Sequence, residues 1–304
     1  MPEITLTGVN GITFPIMNTW GWEVALDLFF GGLVAGLLIF GSVLRLRYPQ
    51  GFPRTLFWVD LLGFPLLSAG MFLLLLDLSN KINLWRFYVT FQPTSAMSWG
   101  AWMLLFTMIV LTLRFAARVS TPAFLANTLA PVRLWTEHFD RALAMAGILL
   151  GAGVGLYTGE LLSSIAARPL WNTAVLAPLF LVSGLGTGGA LLWLLAPKEE
   201  RAHLMPATLA LWVVELVLVC TFAINLAFGS LASQRAASLL FGASLGATFW
   251  GLVVLLGLVV PIALSGLEKI QRRLTFGALP PILKLTGGLA LRFVIVYAGL
   301  SSFL

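Results

Sequence analysis

Eight apolar stretches, each long enough to cross a lipid bilayer, dominate this sequence. A helix of about 20 apolar residues spans the roughly 30 Å hydrocarbon core of a membrane. The stretches run over 22–44, 56–76, 99–115, 142–164, 170–195, 205–228, 239–264 and 282–300. Only 10% of the 304 residues are charged, against about 25% in a typical soluble domain. We therefore predict an all-α membrane protein with eight transmembrane helices.

The distribution of Lys and Arg over the connections predicts the orientation. With Arg114 and Lys284, at the edges of spans three and eight, counted in the adjoining connections, the connections after spans one, three, five and seven hold thirteen of these residues, and those after spans two, four and six hold four. Cytoplasmic loops of membrane proteins carry the excess of positive charge. We therefore expect both termini and the 78–98 loop on the periplasmic side of a bacterial inner membrane. The few charges form no basic stripe, so nucleic acid is not an expected partner.

Spans one and five resemble each other weakly, which predicts how the spans are grouped. Shifted by 152 residues, Gly32 aligns with Gly184 and Gly36 with Gly188, and each pair of glycines forms a G-x-x-x-G motif. Four spans separate the two copies, which favours two four-helix bundles side by side; chance similarity of glycine-rich spans is the alternative. The expected organisation is an outer tail over 1–21, a first bundle over 22–167 and a second over 168–304.

Ionisable residues inside the predicted spans indicate a function, because each charge in hydrocarbon costs roughly 2.5 to 3.5 kcal/mol. We predict proton transfer through four of them: Asp27, Glu160, Glu215 and Arg292. Glu215 and Arg292 lie at similar predicted depths, which suggests an ion pair with either a structural role or a role in proton movement. Glu23 is four residues from Asp27 and on the same helix face, but a solvated position at the interface explains it equally well.

A second set of polar and aromatic residues falls at the outer ends of the first four spans. A quinone ring needs hydrogen-bond partners for two carbonyl groups, an apolar slot and a source of protons. Amide, carboxyl, indole and phenol groups fit that need, although ordinary anchoring at the membrane interface is the alternative. The predicted quinone-binding residues are Asn18, Asp77, Trp99 and Tyr157.

Histidine and cysteine are too scarce for most metal centres. The two histidines, His138 and His203, lie near cytoplasmic helix starts, which disfavours a haem with two histidine ligands. The single cysteine, Cys220, excludes an iron–sulfur cluster or a structural zinc site held by cysteines of this chain. We therefore expect no metal centre here.

The 78–98 loop is unusually aromatic for a connection between spans. Exposed aromatic residues beside arginine are typical of the centre of a protein interface, although a loop lying in the lipid headgroups has a similar composition. The predicted docking residues are Trp85, Arg86, Phe91 and Pro93. A partner bound there would sit above the polar residues of the predicted quinone site.

Four segments resemble the NrfD/PsrC family, the integral membrane subunit of polysulfide reductase and related complexes. They are LFFGGLVAG at 28–36, LLDLSNKINLWRFYVTFQPTSAMSWGAW at 75–102, YTGELLSSIAARPLWNTAVLAPLFLVSGLGTGGA at 157–190 and LRFVIVYAGL at 291–300. The resemblance implies a quinone-reactive anchor with a ferredoxin-like iron–sulfur subunit, and a molybdopterin catalytic subunit, on the outer face. It assigns the quinone pocket to the first bundle, with Asn18 and Tyr157 as candidates and Asp77 beside them.

One departure from the family pattern concerns the proton source. Members of the family can use a histidine near the outer end of the first span, and this sequence has none before His138. Glu160, inside YTGELLS, is the group we expect to supply the proton instead.

The residues and the resemblance together predict a subunit that reacts with quinone or quinol, either menaquinone or ubiquinone. It would exchange electrons with a docked iron–sulfur subunit, and it would have membrane lipids around it. Two alternatives stay open on the sequence. One is a proton or small-solute transporter, suggested by Glu215 and Arg292, and the other is a pure membrane anchor.

Overall fold

A computed structural model describes residues 20–49, 51–78, 81–83, 85–118, 123–242, 245–271 and 275–302. Within these ranges the regular structure is helical throughout, and eight helices are long and apolar enough to span a membrane. The prediction of an all-α protein with eight spans is confirmed. The spanning helices, labelled α1 to α8 in chain order, are Trp22–Arg47, Pro53–Asp77, Ala96–Arg118, Asp140–Ser163, Leu176–Leu195, Lys198–Phe228, Ala247–Ile270 and Leu279–Ser301.

Two spans begin later than their hydropathy predicted. Residues 170–175 precede α5 as turns, and there the indole N–H of Trp171 donates to the carbonyl oxygen of Ile295 at 2.8 Å. Residues 239–241 belong to a separate short helix, Leu231–Phe241, which ends at Gly242. An apolar segment that is buried against other helices has the same hydropathy as a span. Hydropathy therefore did not distinguish these two segments from the spans that follow them.

The connection between α3 and α4 contains a helix where the sequence predicted a loop. This helix, Ala123–His138, precedes α4 and includes Pro131. The side chain of Arg133 donates from Nε to the carbonyl oxygen of Ala117, at the end of α3, at 3.1 Å. The helix Ala123–His138 therefore lies at the end of the molecule where α3 ends.

Helix α1 is the central element of the packing. It packs against α2, α4 and α5 and also contacts α8, while α5 packs in turn against α4, α6 and α8. The pairs α2–α3, α3–α4 and α7–α8 are also in contact. Because α1 and α5 are joined to so many neighbours, their mutual contact determines how the two halves of the chain meet.

Glycines allow the backbones of α1 and α5 to touch. A Cβ atom on Gly184 would lie 2.9 Å from the Cα of Gly32, and one on Gly188 would lie 2.7 Å from the Cα of Gly36. Such distances leave no room for a side chain, which is how small residues let membrane helices approach closely. The two G-x-x-x-G motifs that align in sequence are thus the surfaces through which these helices pack.

Candidate functional site at one end of the helices

Residues 78–95 connect α2 to α3 at one end of the molecule, called here the loop end. Neighbouring helices joined by short connections run antiparallel, so α1 begins there and α4 ends there. Asp27 is near the start of α1, Asp77 is the last residue of α2, and Tyr157 is in the last two turns of α4. The fold thereby brings a carboxyl, a second carboxyl and a phenol to one end from three different helices.

These three side chains lie close enough to interact. Asp27 interacts electrostatically with Asp77 and with Tyr157, and Asp77 also interacts with Glu23. A carboxyl group donates a proton in its neutral form and accepts one in its ionised form. The arrangement can therefore accept or release a proton beside a phenol that donates hydrogen bonds.

Two glycines make room for the cluster. A Cβ atom on Gly70 of α2 would lie 3.1 Å from Oδ1 of Asp27. The ring of Tyr157 packs directly on Gly100 of α3, where no side chain would fit. The positions of both functional side chains therefore depend on the absence of a side chain on the facing helix.

Several polar atoms of this region are buried without a partner. Among the described residues, Oδ1 of Asp77 accepts no hydrogen bond and the indole Nε1 of Trp102 donates none. The ring of Trp102 lies 6.4 Å from that of Tyr88, and Tyr88 interacts electrostatically with Tyr157. Buried polar atoms are nearly always paired in folded proteins, so these two are available to pair with water or with a bound molecule.

Tyr88 and Trp102 were not among the predicted site residues. Burial raises the pKa of the Tyr88 phenol above its ordinary value, so the group remains protonated and able to donate at neutral pH. Both residues stand in the aromatic motif at 75–102, but nothing in its spacing separates them from the other aromatic residues there. Their contacts with each other and with the cluster were needed to identify them.

The remaining predicted quinone-binding residues are placed differently. Asn18 lies outside the described residues. The indole N–H of Trp99 donates to the carbonyl oxygen of Pro93 at 2.9 Å, and its ring packs on Phe91 at 5.0 Å between centroids. Trp99 thus fixes the conformation of the loop, and its N–H is already engaged.

Glu160 faces away from the other acids. Its side chain is exposed and accepts a hydrogen bond from Oγ of Ser163 at 3.2 Å. The structure therefore brings Asp27 and Asp77 together but leaves Glu160 on the outer surface of α4.

The 78–98 loop presents apolar side chains at its surface. Trp85 and Phe91 are about half exposed, and Pro93 and Arg86 are exposed as well, with the guanidinium of Arg86 5.9 Å from the Trp85 ring. Beneath them a cavity of about 500 Å³ is lined by Leu78, Asn83, Arg86, Thr90, Gln92, Ser95 and Ser98. The four predicted docking residues are thus accessible at the end of the molecule where this cavity lies.

The acid in α6 has a different partner from the one predicted. Oε1 of Glu215 is 2.7 Å from Nζ of Lys284, and both side chains are 1% exposed. Arg292 instead donates from Nη2 to the carbonyl oxygen of Phe180 at 3.0 Å and lies over that ring. Lys284 was counted as a loop residue, but it lies within α8, about 12 Å along the helix from Arg292.

The described residues contain no group of three or more His, Cys, Asp or Glu side chains that could hold a metal ion. His138 packs on Phe139 and His203 on Phe52. Neither histidine is near the cluster at the loop end.

Comparison with known proteins identifies the family. A family model described as polysulphide reductase, NrfD, matches residues 13–303. A polysulfide reductase subunit of Wolinella succinogenes and protein NrfD of Escherichia coli are each 30% identical to this protein, over 92% of its length and 94% of theirs. A selenate reductase subunit of Mesobacillus selenatarsenatis is 25% identical over 58% of this protein and 47% of its own length. With its eight apolar helices, this multi-pass integral membrane protein belongs to the NrfD polysulphide reductase family.

Proposed function

We propose that this chain is the quinone-reactive membrane subunit of a respiratory oxidoreductase complex. The observation that carries the proposal is the cluster of Asp27, Asp77 and Tyr157 beside buried polar atoms that lack partners among the described residues. The relatives support the class of complex, because they are named as parts of polysulfide and selenate reductases.

The polar groups of the cluster match the needs of a quinone ring. When bound, a quinol supplies two electrons and two protons, and a quinone takes them up. The phenol of Tyr157 and the indole N–H of Trp102 are donors for the two ring oxygens. Asp77, with an unpaired buried oxygen, receives or delivers a proton, and Asp27 is the next carboxyl inward.

The electron partner would dock on the loop end, on the surface formed by Trp85, Arg86, Phe91 and Pro93. We infer a ferredoxin-like iron–sulfur subunit, with a molybdopterin catalytic subunit beyond it, since this chain offers no metal-binding cluster among its described residues. The docking surface covers the same end as the cluster, so the distance from quinone to partner would be short.

Helix packing supports a division into two four-helix bundles, over 22–167 and 168–304. In this arrangement α1 to α4 enclose the quinone site, and α5 to α8 pack against them along α1 and α5. The excess of Lys and Arg at the other end of the helices favours a periplasmic loop end and periplasmic termini in a bacterial inner membrane.

A role in proton translocation is a second candidate for the second bundle. Oε2 of Glu215 and two nitrogens of Arg292 are buried without partners among the described residues. Arg292 also adjoins α1, because a Cβ atom on Gly32 would lie 3.2 Å from its Nη2. A proton route between the two bundles would pass Glu215 and Arg292. Glu160 and Asp27 would be the groups of that route nearest the outer face of the membrane.

Turnover of the assembled complex with a quinol substrate tests the proposal. We expect Tyr157→Phe to reduce turnover about tenfold or more, because it removes one hydrogen bond to a developing charge. Asp77→Asn should reduce it by about 100-fold if that carboxyl moves a proton. Tyr297→Phe, which changes a partly exposed tyrosine of α8, is the control and should retain activity. Unchanged turnover in both site variants would remove the assignment.

A further inference from the structure

A second cavity lies at the opposite end of the first four helices from the quinone site. It measures about 540 Å³ and is lined by Arg45, Phe57, Asp60, Arg114, Ala117, Arg118, Arg133, Thr136, Glu137 and Asp140. No residue of this cavity has a part in the proposed quinone chemistry. Four guanidinium and three carboxyl groups surround this cavity, although only 10% of the residues of the chain are charged. Such a concentration of charge indicates a separate function.

Two of the carboxylates are already engaged by arginines. Asp60 is 2.5 Å from Nη2 of Arg45 and 2.8 Å from Nε of Arg118, and its side chain is 3% exposed. Oδ1 of Asp140 lies 3.3 Å from Arg45 and 3.1 Å from Nη1 of Arg114. These ion pairs join α1, α2, α3 and α4 and fix the arginines in place.

Arginine donors remain after these pairs are formed. Nη2 of Arg114 is buried without a hydrogen-bond partner among the described residues, and the side chain is only 4% exposed. Nε of Arg118 donates to Asp60, and Nε of Arg133 donates to the carbonyl oxygen of Ala117. The terminal nitrogens of both arginines have no hydrogen-bond partner among the described residues. Three guanidinium groups thus present unused donors to one cavity, while the remaining carboxylate, Glu137, is exposed.

We propose that this cavity binds a phosphate group through Arg114, Arg118 and Arg133. A phosphate has the charge and the oxygen spacing that arginine recognises through paired N–H donors. Because Asp60 and Asp140 are already paired with arginines, they repel an incoming anion less than unpaired carboxylates would. The buried donor of Arg114 gains the partner that it lacks.

Exposed apolar side chains at the cavity and on the adjoining short helix favour an anionic membrane lipid over free phosphate as the source. Phe57, which lines the cavity, is 39% exposed, and Leu134 and Trp135 of the neighbouring short helix are 67% and 45% exposed. Apolar side chains beside a basic pocket suit the acyl chains of a lipid whose headgroup lies inside. Basic pockets between membrane helices are known sites for such headgroups.

Titration of the delipidated full chain in detergent with phosphatidylglycerol, followed by native mass spectrometry, tests the proposal. We expect Arg133→Gln to weaken binding about fivefold, as one basic residue contributes about 1 kcal/mol near a lipid surface. Arg133 is exposed and takes no part in the ion pairs, so this variant keeps those pairs and loses only the bond to the carbonyl oxygen of Ala117. Arg114→Gln should weaken binding further, and Arg141→Gln, an exposed arginine next to Asp140 that does not line the cavity, should not change it.

Two further probes distinguish the source of the phosphate. If phosphatidylglycerol binds and zwitterionic phosphatidylethanolamine does not, the cavity holds an anionic lipid. If inorganic phosphate alone raises the Tm of the wild type but not of Arg133→Gln, the cavity holds free phosphate. If neither probe distinguishes the wild type from Arg133→Gln, the proposal is overturned.

Discussion

Ionisable side chains in the apolar interior differ in whether a neighbour of opposite charge pairs with them. Glu215 forms an almost fully buried ion pair with Lys284, whereas Asp77 forms no ion pair among the described residues and has a buried oxygen without a partner there. A buried ion pair offsets the cost of removing two charges from water, so it is compatible with a structural role. An unpaired polar atom has no such compensation, which is why we assign the chemistry to Asp77 and its neighbours.

The Glu215–Lys284 pair leads to a prediction about stability. Lys284→Met should lower the free energy of unfolding by about 3 to 5 kcal/mol, because it leaves the Glu215 carboxylate buried and unpaired. The double variant Glu215→Leu/Lys284→Met should recover most of that loss. Denaturant unfolding in detergent measures both, with Lys198→Met, which changes an exposed lysine, as the control. Equal losses in the single and double variants would contradict an energetic coupling between the two residues.

At the residue level, the sequence is informative where topology alone decides which helix ends lie together. The ends of α1, α2 and α4 meet because neighbouring helices run antiparallel, so grouping Asp77 with Tyr157 needed only the order of spans. Prediction of the partner of Glu215 required the rotation and tilt of α6 against α8, which the order of the spans does not give. Span edges read from hydropathy are uncertain by a helical turn or more, and Lys284, near the edge of the predicted span, was counted with the cytoplasmic loop although it lies in the second turn of α8.

At the scale of elements, glycines determine how closely the helices pack. The contact of α1 with α5 is made by Gly32, Gly36, Gly184 and Gly188, and the Tyr157 ring depends on Gly100. The motif pair in α1 and α5 was visible in the sequence as a repeat. That the two copies pack against each other was not, because a repeat relates positions in the chain and carries no information about contact.

A single added methyl group tests the contact between α1 and α5. Gly184→Ala should destabilise the protein by about 1 to 3 kcal/mol, because the backbones must separate to admit the Cβ atom. Gly251→Ala, in α7, is the matched control, since a Cβ atom there meets nothing within 4 Å. Thermal unfolding in detergent provides the measurement, and equal Tm values for the two variants would refute the close contact.

Element boundaries were predictable except where apolar residues lie outside a span. Hydropathy gave the eight spans in order, but it extended spans five and seven into segments that end at turns near Val175 and Gly242. It also gave no sign of the helix Ala123–His138, whose sequence is only moderately apolar. A helix that spans the membrane needs a long apolar sequence, which hydropathy detects. The short helices beside the spans have no such requirement, so hydropathy does not detect them.

At the scale of the whole molecule, the two ends of the helices have different surfaces. The loop end carries exposed aromatic residues beside an open cavity, and the other end carries a cavity lined by four arginines. Exposed aromatic side chains at a membrane protein's end fit a protein partner. The two ends would thus serve different contacts, with a redox subunit on one side and phosphate groups on the other.

Removal of the aromatic surface should release the partner subunits. In the double variant Trp85→Ala/Phe91→Ala we expect copurification of the iron–sulfur subunit to fall at least tenfold, because truncation of central interface aromatics typically costs more than about 1 kcal/mol each. Phe228→Ala changes an aromatic residue that is 83% exposed at the end of α6 and should leave copurification unchanged. Retention of the subunit in the double variant would place its docking surface elsewhere.

Photo-crosslinking with an azide-bearing quinone analogue tests most directly whether quinone binds at the loop end of the first four helices. The complex is irradiated with the analogue, and labelled peptides of this chain are identified by mass spectrometry. We expect labels on peptides that contain Asp27, Asp77, Trp102 or Tyr157, and we expect excess unlabelled quinone to remove them. Labels confined to residues 168–304, or labels that excess quinone does not reduce, would contradict the assignment.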